Sequence, residues 1–133
     1  MINSDFALAV HSILLLAKSE TRLTSTHLSK LMRLHPVRIR KVLSRMKNEG
    51  YIDSKEGING GFFISCDIAK VTLHDIYVLT QEDLLKPKCH DCCASCKIGT
   101  NIERVLDEIL GGADDRFQEY LGKYTLKAVM EKM

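Results

Sequence analysis

Tryptophan is absent from the sequence, and aromatic residues together make up 6% of its 133 positions, which leaves any interior to aliphatic side chains. Long apolar runs are missing too. The uncharged run nearest the start, Ile13 to Ala17, falls far short of the roughly 20 residues that a bilayer span needs, so no membrane partner is expected. The residues ahead of it begin Met-Ile-Asn-Ser-Asp, with a negative charge and no Lys or Arg. A secretory signal starts with a basic segment, so the expected compartment is the cytoplasm. Catalytic signatures are also lacking, since there is no Gly-x-Gly-x-x-Gly, P-loop, Gly-x-Ser-x-Gly or His-Glu-x-x-His. His11, His27, His35 and His74 are isolated and read as packing or surface residues, with His35 placed near a phosphate if it has a function. An enzyme is not expected.

What is present is one modest domain with room for an oligomerisation arm, 45% hydrophobic and 27% charged. The net charge of +2 conceals a strong segregation. Residues 30–56 hold Lys30, Arg33, Arg38, Arg40, Lys41, Arg45, Lys47 and Lys55 against Glu49, Asp53 and Glu56, a local +5, while the rest of the chain sums to −3. Such a stretch is either a solvated helix face or the surface that meets a polyanion. Five cysteines are just as uneven: Cys66 stands alone, and Cys89, Cys92, Cys93 and Cys96 crowd into eight residues. In a reducing cytosol that crowding points to metal or redox chemistry ahead of structural disulfides.

Periodicity sets the order of elements. Phe6 to Ala17 is apolar nearly all round and predicts a buried first helix. Thr24-Ser25-Thr26 offers N-caps for a short second helix carrying Leu28, Leu31 and Met32. After Arg33-Leu34-His35, Pro36 opens a third helix with Ile39, Val42, Leu43 and Met46 on one face, basic residues on the other, and Gly50 as its stop. Two helices across a three-residue turn, the second one basic, form a helix-turn-helix. The β-prone runs on either side of Asn59-Gly60 add a hairpin, which makes it winged. A fourth helix is expected from Thr72 to about Leu79, and Lys86-Pro87-Lys88 reads as a linker. Thr100-x-x-Glu103 has the form of a capping box and places the next helix start there. Ile102, Leu106, Ile109, Ala113, Phe117 and Tyr120 keep one phase through Gly111-Gly112, so a single long helix is expected. Its seam needs a cover, either a second copy of the chain or its own domain. A short terminal helix with Leu126, Val129 and Met130 should pack back.

The fold class expected is therefore mostly α with a small β-hairpin: a winged helix-turn-helix domain over residues 1–82, a cysteine-rich sensor linker over 83–100, and a dimerisation helix plus terminal helix over 101–133. Several strings resemble the Rrf2-type bacterial transcriptional regulators over nearly the whole chain. They are Leu43-Ser44-Arg45-Met46-Lys47-Asn48-Glu49-Gly50-Tyr51-Ile52, the wing Gly57-Ile58-Asn59-Gly60-Gly61-Phe62, Val71 to Ile76, Cys96 to Ile102, and Tyr124-Thr125-Leu126. The stretch Cys96 to Ile102 is typical of the branch without an iron–sulfur cluster. The resemblance implies a homodimeric winged-helix repressor whose affinity for double-stranded DNA is set by a thiol, a cluster or a metal between its two domains. Cluster-binding members carry a basic residue before the wing glycine, where Glu56 stands here with Lys55 beside it. They also space three cysteines by five or more residues, unlike the Cys-x-x-Cys-Cys-x-x-Cys of this chain.

On the recognition helix, Val37, Arg38 and Lys41 are expected at base edges, because guanidinium can bridge guanine O6 and N7 while ammonium neutralises phosphate. Arg40, Arg45, Ser4, Asn59 and Gly60 are expected at the DNA backbone, and Lys55 is the candidate substitute for the missing basic wing residue. For Cys89, Cys92, Cys93 and Cys96 three readings stand open. Four thiolates can surround zinc, with His90 as a spare ligand, although adjacent Cys92 and Cys93 converge poorly on one ion. Lys88 and Lys97 can favour thiolates that oxidise to a disulfide. In a helix, the same positions would form one small apolar stripe and bind no cofactor at all. The function expected is transcriptional regulation by redox state or metal. The alternative is a zinc- or redox-binding module that contacts protein instead of DNA.

Overall fold

Helix α1 (Asp5–Lys18) begins at Ser4, whose side chain accepts from the Ala7 N–H at 3.1 Å. Asp5 in its first turn and Lys18 in its last both complement the helix dipole. The computed structural model describes residues 4–80 and 97–133. Leu8, Ala9, Ser12, Ile13, Leu14 and Leu16 are buried, so α1 is the central helix that its all-round apolar sequence predicts. Helix α2 (Ser25–Met32) is capped by Thr24, which accepts from the His27 N–H at 3.1 Å. It ends on Arg33 in the left-handed conformation, φ 55°, where glycine is the usual occupant. Nothing in the local sequence announces that arginine as a helix stop.

Helix α3 (Pro36–Asn48) starts with Pro36 at its first turn and His35 as cap, the ring Nδ1 accepting from Val37 N–H at 3.2 Å. Ile39, Val42, Leu43 and Met46 are its buried face. Burying each such side chain stabilises by about 1.5–3 kcal/mol. Strands β1 (Ile52–Lys55) and β2 (Gly61–Ile64) run antiparallel with Ile52 opposite Ile64 and Lys55 opposite Gly61. Asn59-Gly60 does not form a two-residue turn. The Gly60 N–H donates to the Gly57 carbonyl at 3.0 Å, with Asn59 at φ 62° in the third position, where a type II turn demands positive φ. Leu23 adds a third edge by pairing with Phe62, N–H to carbonyl, at 3.0 and 2.7 Å.

Helix α4 (Leu73–Thr80) is opened by a reciprocal cap in which the Asp75 N–H donates to Thr72 Oγ1 and the Thr72 N–H to the Asp75 carboxylate. Helix α5 (Lys97–Leu121) is already running at Lys97, the first residue described on that side, so the start predicted at Thr100 is too late. Thr100 and Glu103 match a capping pattern, but Glu is equally at home inside a helix, and the preceding turn continues into it. The helix passes through Gly111-Gly112 unbroken, as its phase predicts. Helix α6 (Leu126–Glu131) is capped by Thr125 and returns to the domain, with Leu126 N–H on the Val71 carbonyl at 2.8 Å and the Leu126 side chain buried. No helix among the described residues is long and apolar enough to cross a membrane.

The α5 seam divides. Its C-terminal half lies on α4: Phe117 meets Tyr77 edge-on at 5.3 Å, Tyr77 Oη donates to Asp114 at 2.8 Å, and Gln118 pairs with His74 at 3.0 Å. Its N-terminal half leaves Ile98 and Ile109 at 75% and 62% exposure, with Ile102 and Val105 each at 37%. The chain's own domain thus covers the C-terminal half of the seam, and the N-terminal half is left exposed among the described residues.

Candidate nucleic-acid interface

The outer face of α3 stands beside the wing because Leu23, just ahead of α2, is hydrogen-bonded to Phe62 of β2. Gly61 makes that approach possible. Its φ is 133°, and a Cβ there would sit 2.8 Å from both C and O of Leu23. At Gly60 a Cβ would meet the Lys55 and Gly57 carbonyl oxygens at 2.4 and 2.8 Å. Gly60 is required by the bend of the wing tip and Gly61 by the approach of Leu23.

Of the residues expected at the interface, Val37, Arg40 and Lys41 are exposed on α3, Val37 at 58%. Lys55 and Asn59 are exposed on the wing, and Gly60 is half-buried at its tip. Ser4 is the α1 cap, next in sequence to Asp5, which reaches α3. Arg38 is held back from solvent: its Nε lies 3.2 Å from the Asp5 carboxylate. Arg45 turns further away, donating from Nη1 to the Thr80 carbonyl at 3.2 Å and so tying the recognition helix to the last residue of α4. Lys47 bridges to the wing through Ser54 Oγ at 2.7 Å.

Two side chains were not singled out from the sequence. Asp5 is one. Arg22 is the other: its Nη1 donates to the Asn59 carbonyl at 3.4 Å and its guanidinium lies 5.4 Å from the Phe63 ring centre, bracing the wing from the α1–α2 connection. Their contacts span 33 and 37 residues, beyond any local pattern.

Cys66 is half-buried and unbridged, and burial pushes its thiol up, with Asp67 adding to the shift against an opposing backbone hydrogen bond. Burial likewise raises the Tyr51 hydroxyl, helped by Asp75. Cys89, His90, Cys92, Cys93 and Cys96 lie outside the described residues, as does the expected boundary near residue 83. Among the described residues no group of three or more His, Cys, Asp or Glu is arranged to hold a metal.

A sequence model of the Rrf2 family, described as iron-dependent transcriptional regulators, matches residues 2–132. YwnA of Bacillus subtilis (strain 168), an HTH-type transcriptional regulator by name, is 27% identical over 135 residues, covering 100% of this chain and 99% of its own. A transcriptional regulator from Lactobacillus plantarum, known as a crystal structure, superposes with TM-score 0.79 at 30% identity, over 96% of this chain and 87% of the other. CymR of B. subtilis, called the global cysteine regulator, shares the fold at TM-score 0.66 and 17% identity, over 100% and 98% of the two chains.

Proposed function

Because the chain belongs to the Rrf2 family of transcriptional regulators, its partner is DNA and it is not an enzyme, and we propose that it acts as a homodimeric cytoplasmic repressor. In this reading α3 enters the major groove and the wing follows the DNA backbone. The observation that carries it is the exposed basic face of α3 set beside a wing tip that only glycine can form. Val37, Arg38 and Lys41 meet base edges; Arg40, Ser4, Asn59 and Gly60 meet phosphate and sugar; Lys55 lies nearest the minor groove. Arg45 joins them only through its remaining donors, since Nη1 is engaged by Thr80. A two-fold dimer would present two α3 helices to successive major grooves, about 34 Å apart, so the operator is pseudo-palindromic. Residues 1–82 supply DNA binding, 83–100 the sensor and 101–133 the dimer contact.

Affinity measured by fluorescence anisotropy should fall steeply between about 50 and 200 mM salt, since each neutralised phosphate releases counterions. Arg40→Ala should weaken binding to all sequences alike and reduce the logarithmic salt slope by about 1. An unchanged slope removes Arg40 from the phosphate contacts.

The cysteine-rich stretch is the proposed input. It lies in sequence between α4, whose last carbonyl is held by Arg45, and α5, so a change there bears on both the recognition helix and the long helix. Four thiols suit a soft cation in kind, and zinc or iron bound there would be held by Cys89, Cys92, Cys93 and Cys96 as thiolates. The same thiols can serve without metal by forming a disulfide within or between subunits, with a mild oxidant accepting the two electrons and the two protons passing to water. Metal content, free thiols and DNA affinity are to be followed in the same anaerobic samples before and after oxidation. Loss of thiols together with affinity in metal-free protein establishes the thiol switch. Metal at about one per chain, with affinity following its removal, establishes the metal-gated form. Affinity indifferent to both treatments makes the cysteines packing residues.

Cys66 provides the internal control. Its raised thiol stays protonated at neutral pH and should be alkylated last, with a rate still climbing where an ordinary thiol has levelled off. The sign for stability follows: the folded state favours the neutral thiol, so this contribution is complete below the unfolded thiol value of about 8.5 and is lost as pH rises beyond it. Cys66→Ser should flatten that alkaline decline in a urea-unfolding series.

A further inference from the structure

Ile58 is 94% exposed, the highest value of any large apolar side chain described. One exposed aliphatic residue is ordinary on a protein surface, but this one stands at the corner of the wing tip. Turn chemistry does not call for it. The second position of the turn Gly57-Ile58-Asn59-Gly60 favours proline, and a β-branched side chain there adds nothing to the turn. The tip that carries it is nonetheless fixed. Gly57 and Asn59 sit at φ 92° and 62° on either side, the Gly60 N–H closes the turn on the Gly57 carbonyl at 3.0 Å, and Arg22 Nη1 holds the Asn59 carbonyl at 3.4 Å. Ile58 is therefore presented to solvent by a turn braced through its own hydrogen bond and from the α1–α2 connection.

The tip has no cation with which to seek the negative potential of a narrow groove, because the residues between Glu56 and Gly61 are Gly, Ile, Asn and Gly. An aliphatic side chain has another use on DNA. The minor groove accepts apolar wedges, isoleucine among them. Its floor is degenerate but for one group: A·T and T·A show acceptors only, whereas G·C adds the guanine N2 amino group. That amino group projects into the groove where the side chain would lie, and it carries a donor that an aliphatic cover shuts off from water without replacing the hydrogen bond. We propose that Ile58 is a specificity-determining residue that reads A·T against G·C in the minor groove beside each α3 contact. Shape and the unpaired amino group together make the distinction. This rests on the placement of α3 and the wing given above.

Inosine separates the two grooves. It is guanine without the N2 amino group, so I·C resembles G·C in the major groove and A·T in the minor groove. Duplexes are selected by the full-length protein out of a randomised library, and each A·T pair of the selected site is replaced in turn by G·C and by I·C for competition binding. At a position outside the α3 contacts in each half-site, G·C should weaken wild-type binding on the order of tenfold and I·C should restore it. Diaminopurine opposite thymine, which adds the amino group to an A·T pair, should weaken binding there as G·C does. Ile58→Ser should bind I·C and G·C alike at that position and keep the preferences at the α3 contacts. It should also unfold at the wild-type temperature, since the side chain is exposed. Ile58→Val, a smaller wedge, should keep part of the discrimination. A loss in Ile58→Ser spread evenly over all duplexes would make the side chain a non-specific contact and overturn the proposal. Ile58→Ser equal to wild type on every duplex overturns it too and leaves the side chain for a protein partner. Wild type that selects a site but nowhere distinguishes I·C from G·C overturns the proposal alone. Wild type that selects no site overturns the placement of α3 and the wing, and the proposal with it.

Discussion

Gly61→Ala is expected to destabilise the protein by about 2–6 kcal/mol and to detach the wing from the rest of the DNA-binding surface. About half of that is conformational, because φ at Gly61 is 133°, where a side chain is strained whatever the space. The other half is collision: the new Cβ would lie 2.8 Å from Leu23 C and O and 3.1 Å from Thr24 N, all backbone atoms with no rotamer to yield. Relief requires β2 to move away from Leu23, which breaks the pair of Leu23–Phe62 hydrogen bonds at 3.0 and 2.7 Å. Those bonds hold the wing against the start of α2, so DNA affinity should fall at least tenfold even where the variant remains folded. Urea unfolding and anisotropy measure the two effects separately. Gly57→Ala is the control, since its φ is 92° but its Cβ would meet nothing, and it should show strain alone. A Gly61→Ala protein as stable as Gly57→Ala would mean that the Leu23 pairing does not position the wing.

Legibility in the sequence followed the range of each interaction. The cap Thr24, the proline opening α3 and the recurrence of buried Ile39, Val42, Leu43 and Met46 are decided within four residues, and each stands where the local pattern predicts. The winged arrangement followed from their order. Arg33 as a left-handed helix end was hidden because glycine or asparagine normally marks that position. Asp5 and Arg22 were hidden because an ion pair or a brace between distant segments leaves no spacing to read. Arg45 was counted with the other basic residues of α3, but charge along a helix does not reveal which guanidinium a neighbouring carbonyl will claim. For α5 the phase of the seam was readable and its partner was not: Phe117 and Ile109 share one stripe, yet the first meets Tyr77 while the second stays exposed.

Ile109→Glu is expected to convert a dimer into a folded monomer and to lower operator affinity on the order of a thousandfold, within the range by which two joined sites exceed one. A 25-residue helix is about 37 Å long, and α4 covers only its C-terminal half through Tyr77, Phe117, Asp114 and Gln118. Ile98, Ile102, Val105 and Ile109 recur at intervals of four, three and four on the other half, the spacing of a seam that pairs with a second helix. Gly111 and Gly112 support the same reading. Each weakens the helix by about 1 kcal/mol relative to alanine, and among the described residues a Cβ at either position would meet nothing, so the packing described within one chain gives no reason for them. Close approach of a second backbone does. Since Ile109 is 62% exposed, its replacement should leave the circular dichroism of the monomer intact, while the new carboxylate joins Asp107 and Glu108 in a surface that must otherwise be desolvated. Sedimentation velocity reads the oligomeric state and anisotropy the affinity. Ile109→Lys should act in the same direction, because it is the burial of a charge and not its sign that opposes pairing. If both variants remained dimeric, the contact between subunits would have to lie off this stripe, and the two glycines would be without a function.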